Sequence, residues 1–179
     1  ALSRYFFTIF AKNSGGDRRL LLVFTAYPMI DRDALEKFIE TKLEGTSYFP
    51  VDLQITPSND IRIEIDSDES VDIDFCTDLT RAIEAEFPRD DEDYSLEVGS
   101  AGLTSPFKVR RQFVKNIGNT IDVLSRDGRK YTGTLLEAGD DSFRISIRVK
   151  EKPEGAKRPV EVEKELTFGY GDINRAQWH

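Results

Sequence analysis

The sequence predicts an α+β protein: an N-terminal α/β domain, with two helices on a three-stranded sheet, followed by a small β-barrel of the SH3 or Sm type. Three observations support this prediction. Helical and strand-like apolar patterns alternate in the first half of the chain. Four or five short strands follow one brief helix in the second half. The net charge also changes sign between the halves, which is typical of two units that face different partners.

Four segments are predicted along the chain. They are an N-terminal extension (1–28), an acidic α/β domain (29–99), a hinge (100–107) and an Sm-like barrel (108–179). The extension is interpreted as not native, because Met29 is the one methionine of the chain and an orderly pattern begins directly after it.

The first helix and the hairpin after it are predicted from capping and alternation. Asp33 and Glu36 have the spacing of a capping box, and Gly45 ends the helical pattern. Residues 51–55 and 61–65 alternate between apolar and polar side chains on either side of a Pro-Ser-Asn-Asp turn. This arrangement predicts two antiparallel strands.

The second helix and the third strand complete the predicted α/β domain. Asp72 or Ser70 is expected to cap the helix, and Pro88 lies just past its end. Tyr94, Leu96 and Val98 alternate with polar residues and predict a short strand.

The second half holds turn signals at short intervals. A short basic helix is predicted near Phe113, and Asp127-Gly128 is a strong hairpin turn. Gly139-Asp140-Asp141 is a second turn, and residues 150–159 form a polar loop. Apolar alternation between these breaks predicts the strands of a barrel. Gly99 and Gly102 are predicted hinge glycines because glycine tolerates positive φ, and Pro106 fixes the exit of the linker.

Composition excludes several kinds of chemistry. The one cysteine, Cys76, cannot form an internal disulfide or a cysteine-based zinc site, and it favours a reducing cytoplasm. The one histidine, His179, is the last residue, a poor position for a catalytic group. No catalytic residue, metal site or cofactor is therefore predicted.

The charge distribution is the strongest functional signal. Residues 29–98 contain 21 Asp and Glu against 6 Lys and Arg, whereas residues 102–150 contain 10 Lys and Arg against 5 Asp and Glu. An acidic surface attracts basic proteins and repels phosphate, and a basic surface does the reverse.

Two acidic clusters are candidates for binding a basic protein. Their residues are Asp66, Asp68, Glu69, Asp72, Asp74 and Asp90, Asp91, Glu92, Asp93. Taken singly, each carboxylate is better explained as a solvated surface charge. The basic candidates for binding nucleic-acid phosphates are Lys108, Arg110, Arg111, Lys115, Arg126, Arg129 and Lys130. Surface charge beside an acidic domain, with ion pairs between the two, is the alternative left open for this set.

Four separated motifs resemble the RimP family of ribosome maturation factors. The most specific is Tyr94 to Lys108, which is similar to the family's Leu-Glu-Val strand, glycine-leucine loop, proline and lysine. The other three are Ile65-Asp66 with Val71 to Cys76, Gly128 to Leu136, and Ile173 to Ala176. One departure is that Thr104 and Ser105 replace the family's usual aspartate–arginine pair.

The resemblance implies a non-enzymatic cytoplasmic factor that associates with the free small ribosomal subunit during late assembly. It implies binding to a basic small-subunit ribosomal protein, the twelfth, and small-subunit rRNA is a further expected partner. A monomer with no membrane contact is expected.

Two other functions are compared with this one. A general Sm-like RNA-binding module with an acidic accessory domain would bind RNA without a ribosomal protein. A magnesium-dependent hydrolase would use Asp66, Asp68, Asp72 and Asp74, but these lack the glycine and glutamate of a calcium loop, and no nucleophile–base pair is evident.

Overall fold

The computed structural model describes residues 8–12, 18–22, 30–88, 94–151 and 159–179. Its helices are α1 (Arg32–Leu43), α2 (Ile73–Glu86) and α3 (Arg110–Lys115). Its strands are β1 (Thr8–Lys12), β2 (Arg18–Leu22), β3 (Tyr48–Ile55), β4 (Asp60–Ser67), β5 (Ser95–Ser100), β6 (Thr120–Ser125), β7 (Lys130–Ala138), β8 (Ser142–Glu151), β9 (Val160–Gly169) and β10 (Ile173–Trp178). A three-stranded sheet with helices precedes a five-stranded antiparallel sheet, which confirms the α+β class.

The predicted N-terminal extension contains one hairpin. Strands β1 and β2 pair antiparallel, from Thr8 opposite Leu22 to Lys12 opposite Arg18. The remainder of residues 1–28, together with Met29, lies outside the described residues.

Helix α1 begins two residues earlier than the sequence predicted. Asp31, not Asp33, is the N-cap, and its Oδ1 accepts hydrogen bonds from the backbone N–H groups of Asp33 and Ala34. Ile30 before the cap and Leu35 in the first turn both belong to the buried core, an arrangement typical of a hydrophobic staple. With this apolar pair and the cap at Asp31, the helix starts before the predicted capping box.

Strand β4 lies at the centre of the three-stranded sheet, whose order is β3-β4-β5. It pairs antiparallel with β3, which confirms the predicted hairpin. It pairs parallel with β5, and α2 makes the crossover between them. Asp72 caps α2 by accepting a hydrogen bond from the backbone N–H of Asp74.

The side chains of β4 divide the sheet into two faces. Ile61, Ile63 and Ile65 are at most 2% exposed and pack in one core with residues of both helices. Because strand side chains alternate, Glu64 and Asp66 lie on the opposite face. That second face carries charge and is contacted by α3.

The five-stranded sheet has the order β10-β6-β7-β8-β9, with every neighbouring pair antiparallel. A single-turn 3₁₀ helix, Tyr170–Asp172, connects β9 to β10. Phe143, Ile145, Ile121 and Leu135 are at most 1% exposed and form its core. Strands β9 and β10 lie at opposite ends of the order, so the hydrogen-bonded sheet is open between them, in contrast to the predicted barrel.

No helix in the described parts of the chain is long and apolar enough to cross a membrane.

Gly133 permits the close approach of β7 and β8. A Cβ placed there would collide with the carbonyl oxygen of Ser146 and lie 2.8 Å from Cγ2 of Ile147. We expect Gly133→Ala to lower the free energy of unfolding by about 1–3 kcal/mol, because backbone must shift to admit the methyl group. Urea unfolding measures this. Gly171→Ala, whose Cβ meets nothing within 4 Å, is the control, and an equal effect of both changes would contradict the explanation.

Candidate functional site

Helix α3 lies between the two sheets and is anchored to the five-stranded one. Its residue Phe113 is 4% exposed, and its ring centroid lies 4.9 Å from that of Phe143 and 5.0 Å from that of Tyr170. The other side of α3 carries cations that contact the charged face of β3 and β4. We call this contact the junction, and it consists of Asp52, Glu64, Asp66, Asp68, Lys108, Arg111, Gln112 and Lys115.

Arg111 makes the two-pronged contact of the junction. Its Nη2 donates to Oδ2 of Asp68 at 2.6 Å and its Nε donates to Oδ1 of the same carboxylate at 3.1 Å. The guanidinium also lies over the ring of Phe49, 4.6 Å from the centroid. A paired, ring-stacked guanidinium is well suited to fixing orientation, because its planar fork matches the carboxylate.

Lys108 bridges the two antiparallel strands. Its Nζ lies 2.7 Å from Oδ2 of Asp52 on β3 and 2.7 Å from Oε2 of Glu64 on β4. The three side chains are about one quarter to one third exposed, so solvent reduces the strength of this contact.

Asp66 is the most buried charge of the junction. Its Oδ1 accepts from Nζ of Lys115 at 2.6 Å and from the backbone N–H of Ser67 at 2.8 Å, and its Oδ2 accepts from Nε2 of Gln112 at 3.2 Å. The Asp66 and Lys115 side chains are only 13% and 19% exposed. Loss of either partner would leave a poorly hydrated charge, a defect that costs about 3 kcal/mol or more.

A small apolar cluster lies beside these ion pairs. Phe49, Val51 and Ala101 are buried together, and Val109 packs against them. The cluster joins strand β3, the linker and the residue before α3. The junction is therefore mainly polar, with a narrow apolar base.

The ion pairs shift the pKa values of their members. The hydrogen bond from Arg111 lowers the pKa of the Asp68 carboxyl, and the hydrogen bonds from Lys108 and then Gln54 lower the pKa of Asp52. Asp52 and Glu64 raise the pKa of Lys108. The contribution of the carboxyls is present above their ordinary pKa of 3.8 and is lost as the pH falls through their lowered values. The contribution of Lys108 is present below 10.5 and is lost as the pH rises through its raised value.

The predicted acidic clusters are divided by the structure. Asp66 and Asp68 belong to the junction, whereas Glu69, Asp72 and Asp74 are exposed. We call these three residues the α2 acidic patch, since they lie at the start of that helix. Asp90, Asp91, Glu92 and Asp93 lie outside the described residues. Partner binding by either cluster stays a prediction.

The predicted basic set is divided in the same way. Lys108, Arg111 and Lys115 contact carboxylates in the junction. Arg110 donates to the carbonyl oxygens of Gly139 at 2.7 Å and Ala138 at 3.2 Å, and it pairs with Asp140 at 2.9 Å. The remaining three, which we call the hairpin cations, are exposed at the turn between β6 and β7: Arg126, Arg129 and Lys130. Of these, Arg129 pairs with the exposed Asp127 at 3.3 Å.

The predicted hinge residues occupy different positions. Gly102 adopts a φ of +75°, as its glycine character allows, and it lies in the linker. Gly99 lies within β5 and does not adopt positive φ. Pro106 is exposed beside Phe107, whose backbone N–H donates to the carbonyl oxygen of Ala176 at 2.7 Å. The hinge function stays a prediction.

Asp52, Glu64 and Gln112 contribute to the junction and were missed from the sequence. One signal was present, because Arg62, Glu64 and Asp66 alternate with the three buried isoleucines. When a central strand carries charged side chains on one of its faces, that face is expected to contact polar or charged groups of another element. Within the described ranges, no group of three or more His, Cys, Asp or Glu side chains could hold a metal ion.

Comparison with known proteins gives the family. The model of the RimP N-terminal domain matches residues 38–104, which include the second half of α1 and all of β3, β4, α2 and β5. A ribosome maturation factor RimP of Porphyromonas gingivalis strain W83 is 42% identical over 148 residues, which cover 83% of this chain and 97% of that protein. The chain belongs to the RimP family.

More distant members of the family agree over the same length. The ribosome maturation factor RimP of Christiangramia forsetii is 35% identical over 147 residues, 82% of this chain and 95% of that protein. The one of Flavobacterium psychrophilum is 30% identical over 149 residues, 83% of this chain and 96% of that protein. The resemblance to the RimP family stated from the sequence motifs is therefore confirmed.

The pKa of Asp68 gives a testable pH dependence. We expect Asp68→Asn to lower the melting temperature at neutral pH, because the substitution removes the charge that Arg111 pairs with. The difference from the wild type should shrink as the pH falls below 3.8, and it should disappear once the pH passes the lowered pKa of the folded Asp68 carboxyl, since the wild-type side chain is then protonated as well. Thermal unfolding followed by circular dichroism measures both. A difference that persists unchanged in acid would contradict the assignment.

Proposed function

We propose that this RimP-family chain is a ribosome maturation factor and not an enzyme, and that it acts in the cytoplasm, as a monomer, on the free small ribosomal subunit during late assembly. The observation that carries the proposal is the 42% identity to a ribosome maturation factor RimP across 97% of that protein's length. The division of charge along the chain supplies the physical basis, because ribosomal proteins are cations and rRNA is an anion.

The proposed protein partner is a basic small-subunit ribosomal protein, the twelfth. The α2 acidic patch supports this proposal, because its three carboxylates are exposed and lie within six residues of one another at the start of α2. Asp90, Asp91, Glu92 and Asp93, outside the described residues, are proposed to extend the same function. Long-range attraction of this kind accelerates association and weakens with salt.

Fractionation of a cell lysate on a sucrose gradient tests the main proposal. The wild-type protein is expected to migrate with free small subunits and to be absent from translating ribosomes. The triple variant Glu69→Gln, Asp72→Asn, Asp74→Asn should bind the purified twelfth small-subunit protein several-fold more weakly, with a flatter salt dependence, because three attractive charges are removed. Asparagine preserves the cap at position 72.

The start of α1 supplies a matched control. Asp31→Asn, Asp33→Asn, Glu36→Gln removes the same number of charges from the start of another helix, and two of the three positions, the N-cap and the second helical residue, are the same in both helices. This variant should bind like the wild type. Equal weakening by both variants would mean that net charge, and not the α2 acidic patch, determines the affinity.

The hairpin cations are proposed to contact rRNA phosphates. They are exposed, and Arg126 and Lys130 make no ion pair with the described residues, whereas the other predicted basic side chains contact carboxylates or carbonyls. This feature also favours the second candidate function, an Sm-like RNA-binding module with an acidic accessory domain. The two functions differ in whether the twelfth protein is bound.

Replacing the hairpin cations with alanine should weaken binding to small-subunit rRNA. Each phosphate contact contributes about 0.7–0.9 to the slope of log affinity against log salt, so the slope should fall by about 2–3. Filter binding over a salt series measures it, with Arg148→Ala, Lys150→Ala, Lys164→Ala as a charge-matched control on β8 and β9. An unchanged slope in the hairpin variant would reject the contact.

The five-stranded unit is proposed to be a curved sheet of the SH3 or Sm type. Its strand order, in which the last strand pairs with the first, and its 3₁₀ turn before the last strand support this proposal. The predicted domain limits, 29–99 and 108–179, are proposed on the same basis, because the two large apolar cores share no residue.

A further inference from the structure

Four carboxylates on or directly beside the charged face of β3 and β4 contact cations of the segment that contains α3. Asp52 and Glu64 contact Lys108, Asp66 contacts Lys115, and Asp68 contacts Arg111. The segment reads Lys-Val-Arg-Arg-Gln-Phe-Val-Lys from residue 108 to residue 115. It is a short basic peptide bound to an acidic surface of the same chain.

We propose that this face is a binding site for a basic segment of the client ribosomal protein, and that α3 occupies it as an intramolecular competitor. The inference rests on the proposed function, which makes the client a cationic ribosomal protein. Charge complementarity identifies the kind of partner, and α3 itself shows that a lysine- and arginine-rich segment fits the site.

The composition of the junction is consistent with release. Three of its four cation–carboxylate contacts have partners between one quarter and one half exposed, and contacts of that kind contribute little net stability. The apolar base is a single small cluster. Polar interfaces between units of one chain commonly permit relative motion.

Helix α3 would leave the face together with the five-stranded sheet. Phe113 fixes it to that core through ring contacts at 4.9–5.1 Å with Phe107, Phe143 and Tyr170. The linker before it contains Gly102 at a φ of +75° and the exposed residues Leu103 and Thr104. Displacement therefore requires a change in the linker and not the unfolding of either core.

Release has a consequence for RNA binding. Lys108, Arg111 and Lys115 are neutralised by carboxylates while the junction is closed. A client that occupies the acidic face exposes all three cations, which then become available to rRNA phosphates. Binding of the protein client would thus raise the affinity for RNA, and binding of RNA would raise the affinity for the client, since each favours the open junction.

The test uses the full chain and a labelled synthetic peptide with the sequence of residues 108–115, measured by fluorescence anisotropy at low ionic strength. The double variant Lys108→Ala, Arg111→Ala removes two competing cations and keeps the buried Lys115–Asp66 pair. It is expected to bind the peptide about five-fold more tightly than the wild type, the factor expected for loss of the three partly exposed contacts that these two cations make. Adding Asp68→Asn to the double variant should remove most of this gain, because the arginine of the bound peptide then lacks the carboxylate with which it would pair.

Arg148→Ala, Lys164→Ala is the charge-matched control, and it should bind like the wild type. Circular dichroism establishes that each variant is folded. If the double variant does not fold, Arg111→Ala alone is measured, with a gain of about two-fold expected. No gain in affinity, an equal gain in the control, or a gain that survives Asp68→Asn would each overturn the inference.

The sucrose gradient separates this inference from the proposed function. Wild-type protein that migrates with small subunits, together with variants that show no gain in peptide affinity, would refute the competition alone. Failure of the wild type to migrate with small subunits would refute the proposed function, whatever the peptide affinity.

Discussion

The contact between α3 and the second face of β4 determines how the two halves of this molecule relate. Asp66 lies at its centre, since one carboxylate accepts from Lys115, Gln112 and the backbone of Ser67. A carboxylate with so little access to water is stable as an ion only when its hydrogen bonds are satisfied. The position of α3, and with it the approach of the five-stranded sheet, follows from that requirement.

The same contact changes the meaning of the charge asymmetry. In the sequence, an acidic half and a basic half suggest two surfaces directed at two different partners. In the structure, three of the seven predicted basic side chains, Lys108, Arg111 and Lys115, contact carboxylates of the acidic half. Among the candidate residues that the structure describes, those that are exposed away from the junction, apart from Arg110, lie in two places: the α2 acidic patch and the hairpin cations at the turn between β6 and β7. In a RimP-family protein with this arrangement, part of the positive charge is paired with carboxylates of the same chain while the junction is closed.

The class of fold and most of its elements were predictable because local signals agree with the tertiary structure. The isoleucines of β4, the cap at Asp72 and the turn at Asp127-Gly128 each specify an element without reference to the rest of the chain. The start of α1 was placed two residues late, because Asp31 and Ile30 act through a cap and a buried contact together. The open sheet was not predicted, because apolar alternation specifies strands but not which edges meet.

The candidate site was less predictable than the fold. Exposed and paired charges look the same in a sequence, so Asp68 and Glu69 were placed in one cluster although only Asp68 contacts Arg111. Gln112 carries no charge and so gives no signal in the sequence, yet its side chain links the backbone N–H of Lys108, just before α3, to Asp66. Such roles depend on which strand face meets which helix, and that information is tertiary.

Both faces of strand β4 are covered, one by the helices of the apolar core and the other by the segment that contains α3, and this affects how strictly its register is specified during folding. Ile61, Ile63 and Ile65 pack in the apolar core, whereas Glu64 and Asp66 on the opposite face contact the segment that contains α3. A slip of one residue against β3 would exchange the two sets. Carboxylates would then enter the apolar core while isoleucines faced ammonium and guanidinium groups, so the misaligned chain would lose both contacts together. The contacts on the two faces of β4 therefore both favour the correct register of this central strand.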